Sequence, residues 1–136
     1  MTPLGPCPLS SLQVVVFGGG SFGTAMACVL ARNKKDLEVV LLLRDPKLCS
    51  DINEQRCNTR YLKEFKLPEN VRATTSAEEA IRGAQYAVHA VPVQSSRAFL
   101  QGIKDVLPSN VPIVCVSKGL EVATGACYSL TLVLHP

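Results

Sequence analysis

Glycines at positions 18, 20 and 23 interrupt the stretch VVVFGGGSFGTAMA (residues 14–27), between an apolar run and a helix-forming run. Removing side chains at that spacing serves a chemical purpose. Gly18 permits a tight turn out of a strand, and Gly20 lets main chain come close to a diphosphate. Gly23 lets the following helix pack against the strand, and Gly19 extends the bare stretch. Amides near Ser21 and Phe22 would then face a doubly negative group, with the helix dipole behind them. A phosphate loop of the Gly-Lys-Ser/Thr type is excluded, because no such triplet follows. The competing structural reading, a tight turn with no ligand, does not require this spacing.

A second candidate lies at Leu43-Arg44-Asp45, where the next apolar run ends. An acid there accepts hydrogen bonds from the adenosine 2′-hydroxyl of NAD, and an arginine accommodates the 2′-phosphate of NADP. Arg44 comes first. Asp45 is followed by proline, the pattern of a helix cap with proline at the first helical position, and capping is its better reading. The residues at this edge suit either cofactor, NAD or NADP. Pro92 to Gln94 and Lys118-Gly119 also follow apolar runs.

These groups need elements to position them. Strands are expected over 13–17, 38–43, 71–74, 86–91 and 112–117, the last as a further buried strand. Helices are expected over 22–33, 46 to near 56, 76–82 and 94–106, the third opened by a capping box of Ser76 and Glu79. Residues 58–70 read as an irregular loop. Alternating strands and helices specify an α/β fold, Rossmann-like and doubly wound, with a mainly parallel sheet and helices on both faces. Ligands of such sheets bind beyond the carboxyl ends of the strands, where all the candidate groups fall.

Composition narrows the partners. The chain has 136 residues, 47% hydrophobic and 18% charged, which describes one globular domain. A net charge of +3 spread along the chain excludes the basic footprint of a nucleic-acid binder. No apolar run approaches the ~20 residues of a membrane span. The six cysteines include no C-x-x-C and no zinc spacing, so they read as free thiols in a reducing compartment, with Cys28 and Cys115 as small buried hydrophobes. Residues 1–12 hold three prolines and no basic residue, and read as a flexible leader rather than a targeting peptide. His89, inside a strand pattern, reads as a core histidine. Arg60 stands open between an anion contact and a surface residue.

The segments VVVFGGGSFGTAMA, LLLRDP, NTRYL, LPENVRATTSAEEAI, AVPVQSSR and VSKGLE follow one another in a familiar order. Over residues 13–121 the chain resembles NAD(P)-dependent glycerol-3-phosphate dehydrogenase, whose members interconvert sn-glycerol 3-phosphate and dihydroxyacetone phosphate by hydride transfer. The resemblance implies that Gly18, Gly19, Gly20, Ser21, Phe22 and Gly23 bind the pyrophosphate and Arg44 the adenosine ribose or its phosphate. It also implies that Pro92 and Gln94 line the nicotinamide side and that Lys118 contacts both substrate and cofactor. An ammonium at Lys118 could stabilise a developing alkoxide.

The motifs end after Glu121, so residues 122–136 read as a divergent tail. The family's C-terminal substrate domain, with its acid/base lysine, is expected to be absent. The chain is then a truncated cofactor-binding half that binds the dinucleotide with little or no activity alone. The alternative is a non-catalytic dinucleotide-binding module or regulatory partner of a full-length dehydrogenase. Expected partners are the small-molecule substrate and a second copy or a full-length subunit, with neither nucleic acid nor membrane. The expected compartment is cytoplasmic, with plastid as the alternative.

Overall fold

A computed structural model describes residues 12–116. Strand β1 (Leu12–Phe17) is the centre of the molecule, and Val14, Val15, Val16 and Phe17 are fully buried. Both faces of this strand are covered, which is why its sequence is apolar throughout rather than alternating. Helix α1 (Ser21–Asn33) follows, then β2 (Leu37–Leu42) and α2 (Pro46–Gln55). The chain continues through β3 (Val71–Thr74), α3 (Ala77–Ile81), β4 (Tyr86–His89), α4 (Val93–Ile103) and β5 (Ile113–Cys115).

The five strands form one parallel sheet in the order β3-β2-β1-β4-β5. Alternate strand residues feed two cores. Val14, Val16, Val39 and Leu41 pack with Ala27 and Ala31 of α1 and with Leu48 and Ile52 of α2. Val15, Phe17, Val40 and Leu42 pack on the opposite face with Ala80 and Ile81 of α3 and with Leu100 and Ile103 of α4. The chain therefore winds outward from β1 on one side, then crosses over to β4 on the other. The crevice at the carboxyl ends of β1 and β4 is the topological switch point of the sheet.

Most elements lie where the sequence places them, and the departures have physical causes. Strand β5 was expected to be buried, yet Val114 is 50% exposed and Cys115 is exposed. β5 is the outer strand and pairs only with β4, so its apolar residues are not enclosed among the described residues. Cys28 is buried as expected, and burial raises the pKa of its thiol. Cys28, Cys49, Cys57 and Cys115 are free thiols. The capping box is half realised. The Ser76 hydroxyl accepts from the Glu79 amide at 3.3 Å, but the Glu79 carboxylate turns instead to Arg72 and to the Thr74 hydroxyl.

The loop between α2 and β3 is more ordered than its composition suggests. Arg56 closes α2 in the left-handed region, with φ of 60°. Its guanidinium donates to the carbonyls of Pro68 and Val71, and its own carbonyl accepts from the Leu67 amide at 2.7 Å. Asn70 holds the far end by donating to the carbonyls of Ala31, Lys34 and Leu37.

His89 is a core residue, as its strand position predicts. It is fully buried, packs edge-on against Phe17, and its Nε2 lies 2.8 Å from the Ser96 hydroxyl. Burial alone lowers its pKa to about 4, so the ring is neutral at pH 7. A base whose folded pKa is depressed loses stability as pH falls, because the unfolded chain takes up the proton first. The contribution is complete above the ordinary histidine pKa near 6.5 and is lost as pH falls from there to about 4. The shift corresponds to roughly 3 kcal/mol. Urea denaturation between pH 7 and pH 4.5 should show this slope, and His89→Gln should flatten it; an unchanged slope in the variant would exclude His89 as its source.

Candidate dinucleotide-binding site

The turn after β1 runs between the carboxyl ends of its two neighbours. The Gly18 amide donates to Leu42 O of β2 at 3.0 Å, and the Ala90 amide beyond β4 donates to Phe17 O at 3.0 Å. Gly18 adopts φ of 114°, and a Cβ there would meet the Ala90 carbonyl oxygen at 3.0 Å. A side chain at Gly19 would strike Leu43, with contacts of 2.9 Å. At Gly23 it would collide with the Gly18 carbonyl oxygen, which lies against the first turn of α1. Packing within the protein therefore explains the missing side chains at 18, 19 and 23.

Gly20 differs. Its backbone is extended, with φ of −77°, and a Cβ there would meet nothing within 4 Å. Nothing inside the molecule forbids a side chain at this position. The open space lies beside the start of α1, where Gly20 is the N-cap residue and no side chain caps the helix. Among the described residues, the amides of Gly20, Ser21, Phe22 and Gly23 donate to no protein acceptor; the first amide satisfied within the turn is that of Thr24, which donates to Gly20 O at 3.0 Å. Four amides and the positive end of a helix dipole thus converge on space that Gly20 leaves clear. The first turn of α1 carries no acidic residue, and neither does that of α4, which starts beside it at the end of β4. This arrangement suits an anion with several oxygen acceptors.

Ser21 and Phe22 are both exposed at this edge, with Phe22 54% exposed. Pro92 is the N-cap of α4 and is exposed, as is Gln94. Arg44 is exposed just after β2 and makes no ion pair among the described residues. Asp45 caps α2 as its proline neighbour predicts, accepting from the Lys47 amide at 2.9 Å. It also receives Arg60 in an ion pair of 3.0 Å. Arg60 thus belongs to the protein's own surface network. The structure gathers Gly18 to Gly23, Arg44, Pro92 and Gln94 at the carboxyl edge of the sheet. Lys118 lies outside the described residues. Among the described residues no group of His, Cys, Asp or Glu could hold a metal ion.

Asn58 and Thr24 are neighbours of the turn that residue-by-residue reading leaves unassigned. Both are fully buried. The Asn58 side chain donates to Gly19 O at 2.9 Å and to Thr24 Oγ1 at 2.8 Å. The signal available in the sequence was the NTRYL segment, which carries no periodicity.

Fold and edge together define a doubly wound domain of the dinucleotide-binding class. A family model described as NAD-dependent glycerol-3-phosphate dehydrogenase N-terminus matches residues 13–133, which extends past Glu121, where the quoted motifs end. A chloroplastic NAD(+) glycerol-3-phosphate dehydrogenase of Oryza sativa subsp. japonica is 53% identical over 82% of this chain and 26% of its own length. An NAD(P)+ glycerol-3-phosphate dehydrogenase of Nitratidesulfovibrio vulgaris is 40% identical over 81% of this chain and 33% of its own. Among solved structures, the Coxiella burnetii glycerol-3-phosphate dehydrogenase superposes with a TM-score of 0.79 at 25% identity, covering 91% of this chain and 37% of that one. The chain belongs to the NAD-dependent glycerol-3-phosphate dehydrogenase family, in its N-terminal, cofactor-binding part. It spans about a quarter to a third of the length of these curated relatives.

The glycines separate into two kinds, and substitution should separate them too. Gly20→Val should change stability by less than about 1 kcal/mol, the scale of an unfavourable N-cap residue. Gly23→Ala drives a methyl group into backbone and should cost about 3 kcal/mol. Chemical denaturation of both variants measures the difference; equal losses would remove the distinction.

Proposed function

We propose that this chain holds NAD, with NADP as the alternative, for the interconversion of glycerol 3-phosphate and dihydroxyacetone phosphate. The observation that carries the reading is Gly20: clear space beside four amides that engage no acceptor among the described residues, in a chain of this family. The diphosphate binds there, with its charge on the amides of Gly20 to Gly23. Arg44 meets the adenosine ribose or its phosphate, and Pro92 and Gln94 flank the nicotinamide. The nicotinamide supplies or accepts the hydride. Lys118 follows β5 in sequence and contacts substrate and cofactor, placing positive charge by the reacting oxygen.

Hydride transfer requires cofactor and substrate held together and a proton moved at the C2 oxygen. The described residues offer an anion cradle, while His89 is buried and neutral and Asp45 is engaged as a helix cap and in an ion pair with Arg60. The described residues thus form the cofactor half of a site whose proton-transfer group lies outside them. A full-length subunit is the natural partner to provide that group, and self-association of the chain is the other pairing. Two plant relatives of 53% and 54% identity are named chloroplastic, which favours the plastid over the cytoplasm.

Calorimetric titration of the chain with NADH is expected to show one site, weakened at least tenfold in Gly20→Val. Dihydroxyacetone phosphate reduction by the same chain should stay at background. Absence of NADH binding, or equal affinity in the variant, would refute the binding site. Rapid turnover would refute the assignment as a half-site.

A further inference from the structure

Asn58 lies against the glycine turn and is hydrogen-bonded to the Gly19 carbonyl. Its side chain is fully buried and uses its whole hydrogen-bonding capacity. The amide nitrogen donates to Gly19 O at 2.9 Å and to Thr24 Oγ1 at 2.8 Å. The amide oxygen accepts from the amides of Arg60 and Tyr61, each at 3.1 Å. The two donor bonds tie the loop after α2 to the turn after β1 and to α1, and the two acceptor bonds shape the loop itself.

The bond to Gly19 O has a geometric consequence. The Gly19 carbonyl and the Gly20 N–H belong to one peptide plane, and in a trans peptide they point in opposite directions. No peptide among the described residues is cis. Holding the carbonyl toward Asn58 therefore turns the Gly20 N–H outward. That amide donates to no acceptor among the described residues. Glycine on both sides of this bond makes the plane easy to rotate, so an external anchor is needed to fix it.

The geometry points to Asn58 as a positioning residue that orients the Gly19–Gly20 peptide for the diphosphate of the cofactor. It touches neither cofactor nor substrate and acts through the main chain. The inference rests on the cofactor reading above and adds to it a residue and a way of acting. Preorganised donors bind anions more tightly than donors that must first be turned, and hydrogen bonds to a charged acceptor are the stronger kind.

The test compares ADP with adenosine, which lacks the phosphates. In Asn58→Ala, ADP affinity measured by calorimetry should fall about tenfold. Adenosine affinity, followed by NMR titration, should not change. Asn70→Ala is the control for mere destabilisation, because Asn70 also ties a loop to three carbonyls, but at the opposite end of the sheet. It should lower the melting temperature and leave the ratio of ADP to adenosine affinity intact. If Asn58→Ala does not fold, the unmodified chain decides by NMR: ADP should move the Gly20 amide proton downfield. A Gly20 amide that ADP leaves unmoved, or an unchanged affinity ratio in folded Asn58→Ala, overturns the assignment. Failure of the unmodified chain to bind either ADP or NADH would instead sink the cofactor reading, and this inference with it.

Discussion

The structure depends on a main-chain wedge. Between β1 and α1 the backbone passes through a gap bounded by Leu42 and Leu43 on one side and Ala90 on the other. Width there is set by neighbouring strands of a parallel sheet, about 4.8 Å apart, so no side chain fits where the turn is tightest. The Gly18 amide is fastened to β2, and the Gly18 carbonyl abuts α1 at Gly23. Strand, turn and helix are thereby locked to both flanking strands before any ligand is considered. Of the four glycines in this turn, only Gly20 escapes this logic, since a Cβ there would meet nothing within 4 Å.

Charge follows the same plan. α3 carries Glu78 and Glu79 in its first turn, where acids are favourable beside the helix dipole. α1 and α4, which flank the switch point, carry none. α2 lies one strand further out and is closed by Asp45. The sheet edge thus has its positive helix ends unneutralised only where the crevice opens. Two helix starts of that kind side by side create a local field that attracts anions.

Much of this could be read from residue order, because parallel α/β architecture is strongly patterned. Runs such as VVVF and EVVLLL announce buried strands, and Asp45-Pro46 announces a helix start that the structure contains. The glycine spacing located the turn, and packing in the structure explains glycine at 18 and 23. Other features depend on which strand ends up outermost or which loop folds back. The exposure of Val114 and Cys115 follows from the position of β5 in the sheet, which an apolar run cannot reveal. Glu79 abandons its cap for Arg72 because β3 brings that guanidinium close. Asn58 is separated from Gly19 by 39 residues, so no local pattern could pair them.

Asp45 is committed twice. The same carboxylate begins a helix and grips Arg60, which sits in the loop that Asn58 anchors. Replacing Asp45 would therefore unfasten the entry to α2 and loosen the segment behind the turn together.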